Sequence, residues 1–137
     1  MQNYIGTKLI KAEPMEKDGK HGYQVKYDNG YVSWSPKEVF EKAYFKIDGD
    51  NKLSSNDISR FVLKYEDSKI GQKTTMVTAT LINGFEITES SSCICPENYD
   101  HEIGVEYCKK LIEDKIWMLV GFLLQTALNG VKLQERR

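Results

Sequence analysis

The chain has 137 residues, the size of one domain or two very small modules, and 19 Lys and Arg stand against 20 Asp and Glu for a net charge of −1. Near-neutrality argues against a dedicated duplex nucleic-acid binder, whose footprint is a basic excess. A hydrophobic fraction of 40% with 28% charged residues argues against wholesale disorder. Three cysteines, two of them Cys93 and Cys95, form no paired disulfide framework. Met1 to Ile10 contains Lys8 and no apolar run of signal-peptide length. The longest apolar stretch, Ile116 to Leu124, is about half of a membrane span. The expectation is a cytoplasmic protein with no membrane partner.

In chain order, Tyr4 to Ala12 suits a strand, and the polar residues 13–21, with Pro14 and Gly19, read as a mobile loop. Tyr23 to Tyr27 and Tyr31 to Trp34 alternate about Asp28-Asn29-Gly30, a hairpin signal. Ser35-Pro36-Lys37-Glu38 predicts a capped helix from Pro36 to Tyr44 that buries Val39, Phe40 and Ala43. Residues 46–53 read as a linker between a module at 1–45 and a domain at 54–137. Ser54 or Ser55 starts a short helix, with Asp57 near its positive end. Phe61 to Tyr65 reads as a strand and 66–73 as a loop carrying Gly71. Thr74 to Ile82 alternates, with Met76, Thr78, Thr80 and Ile82 on one face, and Asn83-Gly84 turns the chain into a strand from Phe85 that ends in Ser90-Ser91-Ser92.

A long helix follows from Asn98 or Asp100 to Leu128, with Asn129-Gly130 as its C-cap. About 28 residues would run roughly 42 Å, more than this domain needs. Cys108, Leu111, Ile112, Ile116, Leu119, Leu123 and Ala127 form a stripe to pack on the sheet. Trp117, Met118, Phe122 and Leu128 point elsewhere, so either the helix breaks near Gly104 or Gly121 or a second subunit covers that face; pairing through the helix is the favoured reading.

No constellation supports catalysis. Asp48-Gly49-Asp50-Asn51-Lys52 with Asp57 fails both calcium-loop alignments, and Cys93, Cys95, His101 and Cys108 lack zinc spacing. His21 or His101 with Cys93 lacks an orienting third group, and no phosphate-loop pattern occurs. Ser90 to Ser92 followed by Pro96-Glu97-Asn98-Tyr99 places hydroxyls, an amide and an aromatic ring at a strand end and helix start, where anions are favoured; plain capping explains the same residues. Lys115 beside Trp117 pairs a cation with an aromatic, and a solvated helix face is the plain alternative.

Leu81-Ile82-Asn83-Gly84-Phe85, Pro96 to Gly104, and Lys115-Ile116-Trp117 with Gly121-Phe122-Leu123-Leu124 resemble the motifs of a family of small tailed-phage proteins. The resemblance runs from about Leu53 to Gln125 and includes Ser54 to Ile58; Tyr99, Phe122 and Val120 stand where the family usually has Phe, Tyr and Glu. The first 45 residues resemble a separate module of prophage proteins, through Tyr4 to Lys8, Ala12 to Met15 and Gly30 to Phe40. Within the family the chain resembles the first type of Thoeris anti-defence proteins. That resemblance implies a sheet-and-helix fold that dimerises and assembles further, and binding of cyclic ADP-ribose-type signals, or cyclic di- or trinucleotides, without cleavage.

The expectation is therefore an α+β fold, an antiparallel sheet of hairpins with a long C-terminal helix, forming a homodimer or higher oligomer. It is a non-enzymatic sponge that needs no cofactor, no metal and no nucleic acid. Its ligand phosphates sit near Asn98 with Ser91 and Ser92 donating, Phe85 or Tyr99 stacks on the base, and Arg60 or Lys115 offsets phosphate charge. A protein-interaction module using residues 1–45 is the alternative. A third reading, single strands stacking on Tyr23, Tyr27, Tyr31 and Trp34 beside Lys20 and Lys26, fits the neutral charge poorly.

Overall fold

A computed structural model describes residues 1–134. The fold is α+β, as expected: two three-stranded antiparallel sheets and a long C-terminal helix. The described chain divides into two compact units, residues 1–47 together with 123–134, and Asp48–Phe122. Among the described residues no helix is long and apolar enough to cross a membrane.

In the first unit, β1 (Lys11–Pro14), β2 (Gly22–Lys26) and β3 (Val32–Pro36) pair in that order. The strand expected from Tyr4 starts only at Lys11. Its partner β2 ends at Lys26, opposite Lys11, so residues 1–10 pair with no strand among the described residues. Residues 13–21 are a hairpin rather than a mobile loop. Lys17 and Lys20 exchange both backbone hydrogen bonds around Asp18 (φ 52°) and Gly19 (φ 76°), the paired positive φ values of a tight turn. The second hairpin forms as read, with Lys26 opposite Val32.

Ser35 does not cap the following helix. It stays in β3 opposite Tyr23, and Pro36 is the N-cap of α1 (Lys37–Ala43), with no side-chain bond. This short helix presents one ring to the sheet: Phe40 stacks on Tyr23 at 4.1 Å, while Val39 and Ala43 are exposed, contrary to expectation. The four hairpin aromatics also fail to share a face. Neighbouring strand residues alternate sides, so Trp34, paired with Gln24, is on the other face of the sheet from Tyr23, and its Nε1 donates to the Met15 carbonyl at 2.8 Å.

The second unit opens on α2 (Ser55–Arg60), with Ser54 as N-cap in a complete capping box with Asp57. Asp57 is fully buried and takes N–H bonds from Ser54 (2.9 Å) and Asp48 (3.0 Å), so the expected linker is docked here rather than loose. Strand β4 (Val62–Ile70) continues through most of the expected loop, leaving Gly71 (φ 64°) in the turn to β5 (Thr74–Leu81). Asn83-Gly84 then turns the chain into β6 (Glu86–Ser92). On β5 the residues between those singled out by sequence form the core face: Thr75, Val77, Ala79 and Leu81 are buried, while Met76, Thr78 and Thr80 are half-buried on the other side.

A 3₁₀ turn, Pro96–Asn98, precedes α3 (His101–Asn129), which ends at Gly130 (φ 76°) as expected. The buried ridge of α3 is Cys108, Ile112, Ile116 and Val120. This corrects the sequence stripe, since Leu119 and Leu123 are 39% and 41% exposed. A strict four-residue repeat drifts slowly around a helix and suits packing on a twisted surface. The helix does not break at either glycine. At Gly104 an added Cβ would lie 2.2 Å from Thr75 Oγ1 and 2.8 Å from Thr75 Cβ, so glycine there lets α3 approach β5.

Candidate ligand-binding site

The register of the second sheet puts Lys69 opposite Thr75 and Thr75 opposite Ser91, one row across three strands on the side facing α3. Gly104 brings the α3 backbone down onto Thr75, the middle residue of that row. Tyr99, between the 3₁₀ turn and α3, sets its hydroxyl 2.9 Å from Thr75 Oγ1 and 2.7 Å from His101 Nδ1. His101 Nε2 in turn lies 2.7 Å from Asp67 Oδ1. The Lys69 ammonium sits 4.7 Å from the centre of the Tyr99 ring, a cation–π contact.

Lys73, in the turn between β4 and β5, donates to the Ile94 carbonyl at 3.1 Å, while its own carbonyl accepts from Cys93 N–H at 3.0 Å. The connection from β6 to α3 is thereby tied to that turn. The result is a sheet end that holds two ammonium groups, the Ser91 hydroxyl and an aromatic ring. The Tyr99 hydroxyl is held on both sides, which suits positioning rather than attack on a substrate.

The seven residues expected to bind ligand fall in three places. Ser91, Ser92, Asn98 and Tyr99 belong to this sheet end, although Ser92 faces the other side, its Oγ 2.6 Å from Thr74 Oγ1. Asn98 closes the 3₁₀ turn, its N–H bonded to the Cys95 carbonyl at 3.0 Å; it does not start the long helix. That start is itself capped by a carboxylate, because Ile103 N–H donates to Asp100 Oδ1 at 3.2 Å. Of the two helix starts expected, Asn98 and Asp100, the structure takes Asp100.

Phe85 and Lys115 line a different feature, a groove of about 340 Å³ with Ile87, Met118 and Leu119. Six residue steps, about 20 Å of extended chain, separate Phe85 from Ser91. Lys115, the groove's cation, is ion-paired with Glu89, which already offsets its charge. Arg60 is elsewhere again, paired with Asp57 and Asp48.

Sequence reading missed Asp67, Lys69, Lys73 and Thr75. The first three fell within the polar segment taken as a loop; the cue was Gly71, the segment's one strong turn residue, which leaves 66–70 free to extend β4. The weighed metal sites do not assemble. Asp48 is bonded to Ser54 and Arg60, and Cys108 is in the core, its thiol pKa raised first by burial and then by Glu89. Among the described residues, no three His, Cys, Asp or Glu side chains gather to hold a metal ion.

The model of the phage protein (N4 Gp49/phage Sf6 gene 66) family matches residues 37–128, from the start of α1 to the last turns of α3. The chain belongs to this family. Every residue of the sheet-end cluster lies within the matched span, as do the Asn83-Gly84 turn and Gly104. No curated protein and no solved structure matches the chain.

Proposed function

We propose that this member of the phage family sequesters a small nucleotide-type immune signal, a cyclic ADP-ribose isomer or a cyclic di- or trinucleotide, without cleaving it. The resemblance to Thoeris anti-defence proteins suggests the ligand class. The observation that carries the reading is the row of Lys69, Thr75 and Ser91 with Tyr99 set against it, and Lys73 and Asn98 at the same sheet end. Two ammonium groups and a hydroxyl suit phosphate oxygens, and the Tyr99 ring suits a base. A sponge needs affinity and no reacting group, which fits a tyrosine hydroxyl already held by Thr75 and His101.

In this reading Lys69 and Lys73 replace Arg60 and Lys115 as the phosphate partners. Arg60 stays with Asp57, and Phe85 and Lys115 lie a strand's length away. The protein assembles as a homodimer or higher oligomer through α3, where Trp117 and Met118 are 39% and 67% exposed. The test is titration of Lys69→Ala and Asn98→Ala proteins beside the parent. The expected result is at least a tenfold loss for Lys69→Ala, the order of one charge-assisted contact (about 1.5 kcal/mol). Unchanged affinity in both folded variants contradicts the placement.

A further inference from the structure

Four side chains of the second unit form one hydrogen-bonded line: Asp67 on β4, His101 at the start of α3, Tyr99 just before it and Thr75 on β5. The chemistry of the groups fixes where the protons sit. An ionised carboxylate accepts and cannot donate, so the 2.7 Å contact of Asp67 Oδ1 with His101 Nε2 puts the ring proton on Nε2. In a neutral imidazole Nδ1 is then bare, and the Tyr99 hydroxyl donates to it across 2.7 Å. Tyr99 has no second proton to give. At 2.9 Å the Thr75 hydroxyl therefore donates to the Tyr99 oxygen.

A second proton on the imidazole turns the line round. Nδ1–H must donate, the Tyr99 oxygen accepts, and the Tyr99 hydroxyl proton swings to Thr75 Oγ1. Thr75 is fully buried, so its own displaced proton has no solvent beside it. The groups that face the ring are Asp67 and Lys69 from β4, with Lys69 4.7 Å from the centre of the Tyr99 ring, and Tyr99 itself from the connection. From β5 comes the Thr75 hydroxyl, which does not titrate. At the start of α3, Asp100 accepts from Ile103 N–H and Glu102 is exposed. Proton uptake by His101 takes the group of Asp67, Lys69 and His101 from neutral to net positive.

We propose that this line is a proton-driven switch. Asp67 is the positioning residue that sets the His101 tautomer, and protonation of His101 reverses both hydrogen bonds of the Tyr99 hydroxyl, including the one that ties the start of α3 to β5. The switch is independent of whether the sheet end takes a nucleotide.

The test is NMR of the whole chain carrying ¹⁵N-histidine, ¹³C-tyrosine and methyl-labelled threonine. The chain has two histidines, and His21→Gln assigns their signals. At about pH 8 the expected His101 signature is a protonated Nε2 and a bare, accepting Nδ1. On lowering to about pH 5, across the span in which imidazoles take up a proton, the Tyr99 Cζ and Thr75 methyl signals should move with the same midpoint as the His101 nitrogens. That movement is lost in His101→Gln. Asp67→Asn, whose amide can donate as well as accept, lets the Nδ1–H form appear. The proposal is overturned by an Nδ1–H tautomer in the parent, by an unchanged tautomer in Asp67→Asn, or by a His101 that takes up no proton in this span. Tyr99 and Thr75 signals that stay still while His101 titrates, the result of a purely structural contact, overturn it equally.

Discussion

Gly104→Ala sets two effects of opposite sign against each other. In an exposed helix interior the change is worth about 1 kcal/mol in favour of alanine. Here the new Cβ would lie 2.2 Å from Thr75 Oγ1 and 2.8 Å from Thr75 Cβ, both far inside van der Waals contact. Thr75 is fully buried and its hydroxyl is bonded to Tyr99, so it has no open space to move into. Overpacking of this kind costs about 1–3 kcal/mol, and losing the Thr75–Tyr99 bond adds about 1 kcal/mol. The net expectation is a destabilisation of about 1–3 kcal/mol, read as a lower urea midpoint at unchanged slope. Thr75→Ala removes the closer contact, so the double variant should lose less than the sum of the two single changes. A Gly104→Ala protein as stable as the parent, or more stable, would refute the claim that glycine lets α3 onto the sheet.

Three further outcomes follow from the geometry. Asp57→Ala removes the acceptor for Ser54 and Asp48 N–H and leaves Arg60 without its buried partner. Most of an expected loss of about 2–4 kcal/mol lies in the two part-buried N–H groups that lose a charged acceptor, since Arg60 is more than a third exposed; a stability within about 1 kcal/mol of the parent contradicts the capping account. Burial raises the Cys108 thiol pKa, whereas Cys93 and Cys95 are half-buried; a thiol reagent at neutral pH should titrate two groups quickly and the third only on unfolding. Trp117→Glu with Met118→Glu should lower the mass found by sedimentation equilibrium if α3 is the assembly face, and an unchanged oligomer rules that face out.

Much of the fold was legible because its punctuation is chemical. Asn29-Gly30, Asn83-Gly84, Ser54 with Asp57, and Asn129-Gly130 are each tied to one backbone geometry, and each stands where that geometry occurs. What stayed hidden depends on neighbours. Tyr4 to Ile10 has strand character but no strand beside it, a fact set by where β2 ends. Residues 66–70 are polar because β4 is an edge strand whose side chains reach solvent, and polarity alone reads as loop. The helix stripe differed at Leu119 and Val120 because the sheet's twist, not the helix period alone, selects the buried ridge.

The candidate site was legible in part for the same reason. Ser91 and Tyr99 are near in sequence and meet in space, but Lys69 and Thr75 join them only through strand register. Phe85, Lys115 and Arg60 were grouped with them by residue type, and register separates what type had joined.

The measurement that bears most directly on the sponge reading is isothermal titration of the purified protein with cyclic ADP-ribose isomers and cyclic oligonucleotides, followed by recovery of the bound molecule. The expected result is tight binding of at least one of them, lost on Lys69→Ala, with the ligand returned chemically intact. Flat traces across the panel from folded protein, or a ligand recovered in pieces, would contradict it.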